Sequence, residues 1–281
     1  MIDPADRHQL DSLLSRHRID LKHRLGQNFL IDPAVRDAIA GSAGITGGED
    51  VLEVGAGVGT LTVALAPLCR RLIAVEIDEK LIAALREVIA GHDNVEVVRS
   101  DILRFDTAAS FPKGQQVVAG NIPYNLTGAL IRKLLDREPR PRRLALVVQK
   151  EVAERWTATT GASLATVAVQ VFARARTIFT IPAEAFLPLP RVDSAMVVLE
   201  VRARPAVDVD DLDRFFRFVE SIFQFRRKQL GGALGRLAGE GSTAAGGRLG
   251  AIGIDPTRRA QTLTLPEWEV LYKGFQPGAG G

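Results

Sequence analysis

The strongest constraint on the fold is an alternation of short apolar segments and amphipathic segments between residues 51 and 201. Apolar runs bounded by glycine or charged residues predict strands, and the amphipathic stretches between them predict helices. Strands that alternate with helices form a mostly parallel sheet covered by helices on both faces, so the pattern predicts an α/β fold. The seven predicted strands are residues 51–54, 71–76, 95–98, 116–119, 144–148, 176–181 and 195–201.

The pattern changes at Arg202-Ala203-Arg204-Pro205, after which only helical patterns follow. The apolar residues from Phe215 to Phe223 form one helical stripe, and Asp210 and Asp211 precede it where acidic residues favour a helix N-terminus. Residues 231–253 are rich in glycine and alanine, which predicts loops with short, weak helices. We therefore expect a basic N-terminal arm, an α/β domain, a small all-helical domain and a disordered tail. Their expected bounds are 1–25, 26–204, 205–275 and 276–281.

The composition is that of an ordinary globular protein and excludes several other classes. The 36 basic and 33 acidic residues give a net charge of +3 and a pI of about 9.2, which permits a nucleic-acid partner without requiring one. A single cysteine, Cys69, excludes an internal disulfide, and four scattered histidines lack metal-ligand spacing, so we expect no metal site. Since no apolar run suits a secretion signal or a membrane span, we expect a cytoplasmic protein.

Three features at the ends of predicted strands indicate a nucleoside ligand. Strand 51–54 runs into Gly55-Ala56-Gly57-Val58-Gly59, which has the spacing G-x-G-x-G and lets a ligand approach the backbone. Glu76 ends the next strand, where a carboxylate can accept both hydroxyls of a ribose, although Asp78 beside it suits a helix cap. Asp101 follows the third strand and can either bind the exocyclic amine of adenine or form an Asx turn. These residues leave NAD, FAD and S-adenosylmethionine open as ligands.

The most specific motif is Gly120-Asn121-Ile122-Pro123-Tyr124-Asn125, which directly follows the predicted strand 116–119. Proline fixes its own φ and restricts the residue before it, so the Ile122 carbonyl and the Asn121 amide can be aimed at one point. Two acceptors at one point suit an amino group on a planar ring, and Tyr124 offers that ring a surface for stacking. The alternative is an ordinary turn with a buried tyrosine. We expect this motif to bind a purine amine.

Together these motifs resemble those of S-adenosylmethionine-dependent N6-adenine methyltransferases. Further segments narrow the resemblance to the rRNA adenine N6-dimethyltransferases, and within them to the small-subunit (16S) enzymes. Those segments are 25–30, 149–155, 186–194 and 223–228. The resemblance runs from about residue 20 to residue 275. It implies a Rossmann-like class I methyltransferase fold with a small helical C-terminal domain. It also implies dimethylation of two adjacent adenines in the 3′-terminal hairpin of 16S rRNA during assembly of the 30S subunit.

The resemblance implies a role for individual residues. Asn28 and Leu30 would close over the methionine end of the cofactor, Glu76 would hold its ribose, and Asp101 would hold its adenine amine. The whole group implied to bind S-adenosylmethionine is Asn28, Leu30, Gly55, Gly57, Glu76, Ile77, Asp101, Ile102 and Asn121. The group implied to hold the target adenine, between the rings of Tyr124 and Phe186, is Asn121, Ile122, Pro123, Tyr124 and Phe186. The residues implied to contact RNA are Lys22, Arg24, Arg226, Arg227 and Lys228.

Several alternatives stay open at this stage. Ile122 stands where the small-subunit enzymes usually have leucine, and isoleucine is common in the related large-subunit (23S) enzymes of the macrolide-resistance type. A second alternative is a ribosome-assembly factor that keeps the fold without catalysis. An NAD-dependent oxidoreductase would need G-x-G-x-x-G and has no use for the Asn-Ile-Pro-Tyr motif. A DNA adenine methyltransferase would share that motif but not the segment 25–30 or the helical C-terminal region. We expect a monomer without a membrane segment.

Overall fold

The computed structural model describes residues 2–20 and 28–275. Within them the chain forms nine strands and twelve α-helices. The strands are β1 (Phe29–Leu30), β2 (Asp50–Val54), β3 (Arg71–Glu76), β4 (Val95–Arg99), β5 (Val117–Asn121), β6 (Arg143–Gln149), β7 (Ala173–Ile181), β8 (Phe186–Leu187) and β9 (Ser194–Val201). The helices are α1 (Arg7–Arg16), α2 (Pro33–Ser42), α3 (Thr62–Leu65), α4 (Glu79–Val88), α5 (Thr107–Ser110), α6 (Thr127–Leu135), α7 (Lys150–Thr157), α8 (Leu164–Phe172), α9 (Leu212–Phe223), α10 (Leu230–Leu237), α11 (Ser242–Ala251) and α12 (Leu265–Gly274).

In the part of the chain that the structure describes, seven strands form one sheet in the order β4-β3-β2-β5-β6-β9-β7. The first five strands in this order are parallel, whereas β9 runs antiparallel to β6. The chain builds β2, β3 and β4 outward and then crosses back to place β5 beside β2. In open α/β sheets, ligands bind outside the carboxyl ends of the strands at such a reversal of strand order. The predicted mostly parallel sheet is therefore confirmed.

The central strands are buried at nearly every position. Strand β2 is buried from Val51 to Val54, β5 from Val117 to Gly120, and β6 from Leu144 to Val148. Burial of consecutive residues, which point to opposite faces, is typical of a sheet with both faces covered. These strands provide a rigid base for the loops at their carboxyl ends.

The N-terminal helix α1 is part of this core. Leu10, Leu13 and Leu14 occur at helical spacing and are buried in the main hydrophobic cluster. At its C-terminal end, Arg16 donates to Glu87 of α4 at 2.6 Å. The first part of the predicted basic arm is therefore a packed helix.

Three local features differ from the sequence-based expectation. The helix expected between the predicted strands 51–54 and 71–76 is short, because the chain leaves α3 for a 3₁₀ turn at Ala66–Leu68, where Pro67 lacks a backbone donor. The region 231–253, expected to be loops with short, weak helices, is mainly occupied by the helices α10 and α11. Its small residues let backbones approach: a Cβ at position 235 would lie 2.9 Å from the Glu240 carbonyl. The two-stranded sheet of β1 and β8 was not expected at all.

Tertiary contacts divide the chain, by its described residues, into two units. The sheet unit comprises Met1–Glu154 and Arg174–Val201, and the helical unit comprises Arg155–Ala173 and Arg202–Gly281. The expected boundary after residue 204 lies close to this division. Residues 155–173 were expected in the α/β domain and instead belong to the helical unit, because Phe172 of α8 stacks on Phe216 of α9 at 5.5 Å.

The helical unit has its own aromatic core. Trp268 and Tyr272 of α12 are buried, and Phe215 packs edge-on against Tyr272 with ring centroids 5.4 Å apart. Thr264 and Glu267 form a capping box that begins α12. Among the described residues, no helix has the length and apolar character of a membrane span, and no group of His, Cys, Asp or Glu side chains could hold a metal ion.

Candidate active site

A cleft with a volume of about 250 Å³ opens at the carboxyl ends of β2, β3, β4 and β5. This volume is close to the lower end of the range for small-molecule sites, about 300–1,000 Å³. The cleft lies at the reversal of strand order, between β2 and β5, as the topology requires. Its lining includes twelve of the residues singled out in the sequence: Asn28, Leu30, Gly55, Gly57, Glu76, Ile77, Asp101, Ile102, Asn121, Ile122, Pro123 and Tyr124.

The turn after β2 depends on glycine for its shape. Gly57 has a φ of +60°, a left-handed conformation that costs glycine little and other residues much more. On the neighbouring strand, a Cβ at Gly120 would lie 2.5 Å from the carbonyl oxygen of Val54, so only glycine lets β5 reach the cleft beside β2. The glycines therefore fix the backbone that forms this side of the cleft.

Glu76 ends β3 and is 4% exposed. Its Oε1 accepts from the backbone amides of Ile77 at 2.8 Å and Asp78 at 3.0 Å, and its Oε2 accepts from Gly57 at 2.9 Å. A carboxylate has about four acceptor positions, so three backbone donors leave one position open. Glu76 therefore both holds the glycine turn against β3 and keeps an acceptor for a ligand hydroxyl. Asp78 caps α4 by accepting from Lys80, as predicted.

Asp101 follows β4 and forms the Asx turn that the sequence allowed. Its Oδ1 accepts from the Leu103 amide at 2.9 Å, while its Oδ2 lies 3.9 Å from Arg104 Nε. The turn occupies one oxygen and leaves the other able to accept from a ligand. Ile77, half-exposed, and Ile102, buried, add apolar surface to the same region. We call Glu76 and Asp101 the carboxylate side of the cleft.

The segment Asn121–Tyr124, which we call the corner, lies at the end of β5. The Asn121 Nδ2 donates to the carbonyl oxygen of Asn28 at 2.7 Å, which leaves the Asn121 Oδ1 as the acceptor of this amide. The Ile122 amide donates to the Val147 carbonyl at 3.1 Å, and the Ile122 side chain is 1% exposed. These contacts hold the corner as a continuation of the sheet.

A hydrogen bond to its hydroxyl group holds the Tyr124 side chain in place. Its hydroxyl lies 3.0 Å from the Ser194 Oγ at the start of β9, and Ser194 is fully buried. The ring itself is partly exposed and lines the cleft. A ring held by its hydroxyl and open on its surface can stack a planar ligand.

Phe186 differs from its expected place opposite Tyr124. Its side chain is 2% exposed and packs in the core cluster, and Phe186 pairs with Leu30 in the two-stranded sheet. It is not among the residues that line the cleft. The core contacts with its neighbours in β1 bury the ring, so in this structure Phe186 supports Leu30 and presents no open stacking surface.

The predicted RNA-contact residues fall in two places. Lys22 and Arg24 lie outside the described residues. Arg226, Arg227 and Lys228 are exposed on the turn between α9 and α10 of the helical unit. None of these three forms an ion pair within the described part of the chain, and their backbone forms a turn.

Glu53, which sequence reasoning passed over, lines the floor of the cleft in β2. It is 1% exposed, and its Oε2 has no hydrogen-bond partner among the described residues. Burial, and to a lesser extent the nearby Glu76 carboxylate, raises the pKa of Glu53 from 4.5 to about 8. The one available signal was a charged residue within the otherwise apolar run of residues 51–54.

The chain matches the family model for ribosomal RNA adenine dimethylases over residues 18–270. It is 36% identical over 276 residues to the ribosomal RNA small subunit methyltransferase A of Geobacillus thermodenitrificans, with 94% of both chains covered. It is 39% identical over 282 residues to the protein of the same name from Pelotomaculum thermopropionicum, with 95% of this chain and 96% of the relative covered. The resemblance found in the sequence is therefore confirmed.

Solved structures agree with this assignment. The 23S rRNA methyltransferase ErmE superposes with a TM-score of 0.68 at 29% identity, covering 88% of this chain and 99% of that one. A dimethyladenosine transferase from Plasmodium falciparum superposes with a TM-score of 0.69 at 26% identity, covering 86% of this chain and 95% of that one. The fold is the Rossmann-like class I methyltransferase fold with a helical C-terminal part. The chain belongs to the ribosomal RNA adenine dimethylases, a family of S-adenosylmethionine-dependent methyltransferases.

Proposed function

We propose that this chain transfers methyl groups from S-adenosylmethionine to the N6 atoms of two adjacent adenines in the 3′-terminal hairpin of small-subunit (16S) rRNA. The observation that supports this most is the cleft, where the carboxylate side and the corner meet at one edge of the sheet. One side offers acceptors suited to a nucleoside, and the other offers acceptors suited to a purine amine. A methyl donor and its acceptor base can therefore share one site.

The residues of the carboxylate side fit S-adenosylmethionine by their chemistry. Glu76 has one acceptor position left for a ribose hydroxyl, and Asp101 has Oδ2 left for the exocyclic amine of adenine. Ile77 and Ile102 provide apolar surface for the purine ring, while Asn28 and Leu30 line the cleft beside the glycine turn. When bound, S-adenosylmethionine supplies a methyl group that its positive sulfur has already activated.

The corner would act on the target adenine by positioning. The N6 lone pair of adenine is delocalised into the ring, so the amine is a poor nucleophile. Acceptors at the Asn121 Oδ1 and the Ile122 carbonyl would hold the two N–H bonds and favour a pyramidal nitrogen. This is electrostatic preorganisation together with orientation. Among the residues that the structure describes, no histidine or cysteine lines the cleft, so we propose that the proton leaves to solvent after the nitrogen is alkylated.

The adenine must leave its stack to reach the corner, which costs about a few kcal/mol. Stacking on one aromatic ring returns about 1–3 kcal/mol, and Tyr124 is the ring that lines the cleft. Because Phe186 is buried, we propose that it supports Leu30 and does not provide a second stacking surface. Tyr124 alone would then offset much of the cost of unstacking, and other contacts must supply the rest.

We propose small-subunit rather than large-subunit RNA as the substrate because of the names and identities of the relatives. Proteins at 36% and 39% identity are named for the small subunit, whereas the 23S rRNA methyltransferase ErmE is 29% identical. The test is incubation with labelled S-adenosylmethionine and small-subunit particles that lack dimethyladenosine, with large-subunit RNA as the control. We expect label in the small subunit. Label in the large-subunit RNA alone would favour an enzyme of the macrolide-resistance type, the alternative that Ile122 suggests.

A ribosome-assembly factor without catalysis is the remaining alternative. The intact corner, with Asn121 and Tyr124 lining the cleft, favours an active enzyme. One chain supplies both the carboxylate side and the corner, so we propose that a monomer is sufficient for activity. Since small subunits assemble in the cytoplasm, we propose that the enzyme acts there on the assembling 30S particle.

The exposed turn Arg226-Arg227-Lys228 is our proposed contact for RNA phosphates. Each phosphate contact releases counterions, so the slope of log affinity against log salt changes by about 0.9 for each contact with duplex. Replacing all three residues with glutamine should reduce this slope by about 2–3 if each one contacts a phosphate. The measurement is binding to small-subunit particles over a series of salt concentrations. An unchanged slope would mean that the turn is only a solvated surface.

A further inference from the structure

Two large apolar side chains on one loop of the sheet unit are exposed to solvent and have no role in the proposed function. Among the described residues of the sheet unit, the large apolar side chains that are exposed are Ile77, Leu189 and Val192, which are 50%, 64% and 46% exposed. Ile77 lines the cleft and has a proposed partner in the cofactor. Leu189 and Val192 lie on the short loop between β8 and β9, which the proposed function leaves without a role. Because they are three residues apart on one short loop, these two side chains offer apolar surface that another molecule can cover.

Both ends of this loop contact residues that line the cleft. Phe186 precedes it and pairs with Leu30 of the cleft, while Ser194 follows it and bonds the Tyr124 hydroxyl at 3.0 Å. An extended chain covers at most about 3.6 Å per residue, so the Val192 Cα lies within about 7 Å of the Ser194 Cα. By the same limit, the Leu189 Cα lies within about 11 Å of the Phe186 Cα. The loop that carries both apolar side chains is therefore attached to the corner at one end and to β1 at the other.

The loop is held in one conformation by its own residues. Pro188 and Pro190 fix their φ angles and flank Leu189. Asp193 then fixes the end of the loop: its carbonyl accepts from the Lys150 amide at 3.0 Å, and its Oδ1 accepts from the Ala183 amide at 3.2 Å. Such a loop can present Leu189 and Val192 to a partner with little loss of conformational entropy.

The charge on the loop identifies the partner. Arg191 lies between the two apolar residues, is exposed, and forms no ion pair with the described residues. Asp193, the acidic residue of the loop, already accepts from a backbone amide. Apolar side chains beside a free guanidinium match a nucleic-acid strand, which presents base faces and phosphates together. Since the substrate of the proposed function is RNA, whose phosphates carry the opposite charge, an RNA strand is the partner that fits this loop best.

We propose that Leu189 and Val192 insert into the space that the target adenine leaves in its RNA strand, and that Arg191 contacts a phosphate beside it. This inference rests on the proposed function and adds the residues that hold the RNA open. The loop would replace stacking contacts that the extruded adenine loses, which complements the single stacking surface of Tyr124. Its contribution is then to the step that brings the base into the cleft.

The test is single-turnover methylation of small-subunit particles that lack dimethyladenosine. The double variant Leu189→Ser with Val192→Ser should lower the rate about tenfold or more, because unstacking a base costs about a few kcal/mol. Its affinity for S-adenosylmethionine, measured by calorimetry, should stay within about twofold of the wild type, as expected for surface substitutions. Leu189→Met with Val192→Ile keeps the apolar volume and should restore the rate.

The matched control uses two exposed apolar residues of the helical unit. Leu237 and Val270 are 40% and 43% exposed, so Leu237→Ser with Val270→Ser removes similar surface and should leave the rate within about twofold. If the loop variant methylates at the wild-type rate, or if its defect equals that of this control pair, the inference about the loop is wrong. The proposed function would not be affected by either result. Absence of label with the wild-type enzyme would overturn the proposed function and this inference with it.

Discussion

The carboxylate side and the corner of the cleft are fixed by contacts of different range. On the carboxylate side, Glu76 accepts from the amides of Ile77 and Asp78, which are the next two residues, and Asp101 accepts from Leu103. Apart from the bond that Gly57 donates to Glu76 across 19 positions, these hydrogen bonds form wherever the chain makes the local turn. The carboxylate side is therefore largely preorganised by its own sequence.

The corner depends on contacts that are distant in the sequence. Asn121 donates to Asn28, 93 residues earlier, and Tyr124 bonds Ser194, 70 residues later. These bonds form only when the whole sheet unit has folded. The comparison teaches that substitutions on the carboxylate side should weaken cofactor binding, whereas substitutions in the corner should slow methyl transfer.

The largest expected effect is at the corner. Asn121→Ala should lower the single-turnover methylation rate about 100–1,000-fold, by analogy with the loss of one preorganised hydrogen-bonding group. Its affinity for S-adenosylmethionine should change much less, because the ribose and adenine acceptors lie on the carboxylate side. Rapid-quench kinetics and calorimetry measure the two quantities. A rate near that of the wild type would remove Asn121 from the proposed chemistry.

The next largest effect is expected on the binding of S-adenosylmethionine rather than on the rate of methyl transfer. Glu76→Ala should weaken S-adenosylmethionine binding about 10–100-fold, because hydrogen bonds to a charged group contribute about 1.5–3 kcal/mol. The rate at saturating cofactor should fall much less. Glu79→Ala is the matched control, since Glu79 is exposed three residues later. Calorimetry that gives equal affinities for the two variants would contradict the role of Glu76.

A smaller effect separates the two functions of Tyr124. Tyr124→Ala should raise the KM for small-subunit particles about 5–100-fold through the loss of stacking worth about 1–3 kcal/mol. Tyr124→Phe keeps the ring and loses only the bond to Ser194, worth about 1 kcal/mol, so its KM should change about fivefold or less. Steady-state kinetics on both variants makes the comparison. Equal defects would mean that the hydroxyl, rather than the ring, matters.

The last expected effect is on stability rather than on binding or rate, and it arises at Glu53 in the floor of the cleft. Since the pKa of Glu53 rises from 4.5 to about 8, the folded chain keeps a proton that the unfolded chain releases between these values. The free energy of unfolding should therefore fall by about 1 kcal/mol for each pH unit across this window, and the stabilising contribution is fully present only below pH 4.5.

Glu53→Gln tests this prediction, because the variant keeps the shape of the side chain and has no proton to release. Its free energy of unfolding should show a flatter dependence on pH than that of the wild type between pH 5 and 8. Denaturant titrations at a series of pH values measure both slopes. Parallel curves for the two proteins would mean that Glu53 is ionised in the folded state.

The range of the contacts also explains what the sequence could predict. The glycine turn, Glu76 and the Asx turn at Asp101 are local, so strand ends and residue types were sufficient to find them. The mostly parallel character of the sheet followed from the alternation of strands and helices, whereas the order of its strands is known only from the structure. The antiparallel direction of β9 and the formation of α10 and α11 depend on tertiary packing. Local propensity contains no information about that packing.

The burial of two site residues could not be predicted from the sequence for the same reason. Phe186 belongs to a motif that implied a stacking role, but its pairing with Leu30 buries the ring, and that pairing joins residues far apart in the chain. Glu53 is a charged residue inside a buried strand, and only the packed sheet shows that the carboxyl is enclosed. Burial of a given side chain is a property of the folded core, so pattern alone could not assign it.

The most direct test of the account is to identify the product. Small-subunit particles that lack dimethyladenosine would be incubated with labelled S-adenosylmethionine and either the wild-type enzyme or Asn121→Ala, and their RNA would be digested to nucleosides. The account predicts that the wild-type enzyme produces labelled N6,N6-dimethyladenosine and that the variant produces almost none within the same time. Label in another nucleoside, or equal label from both enzymes, would contradict it.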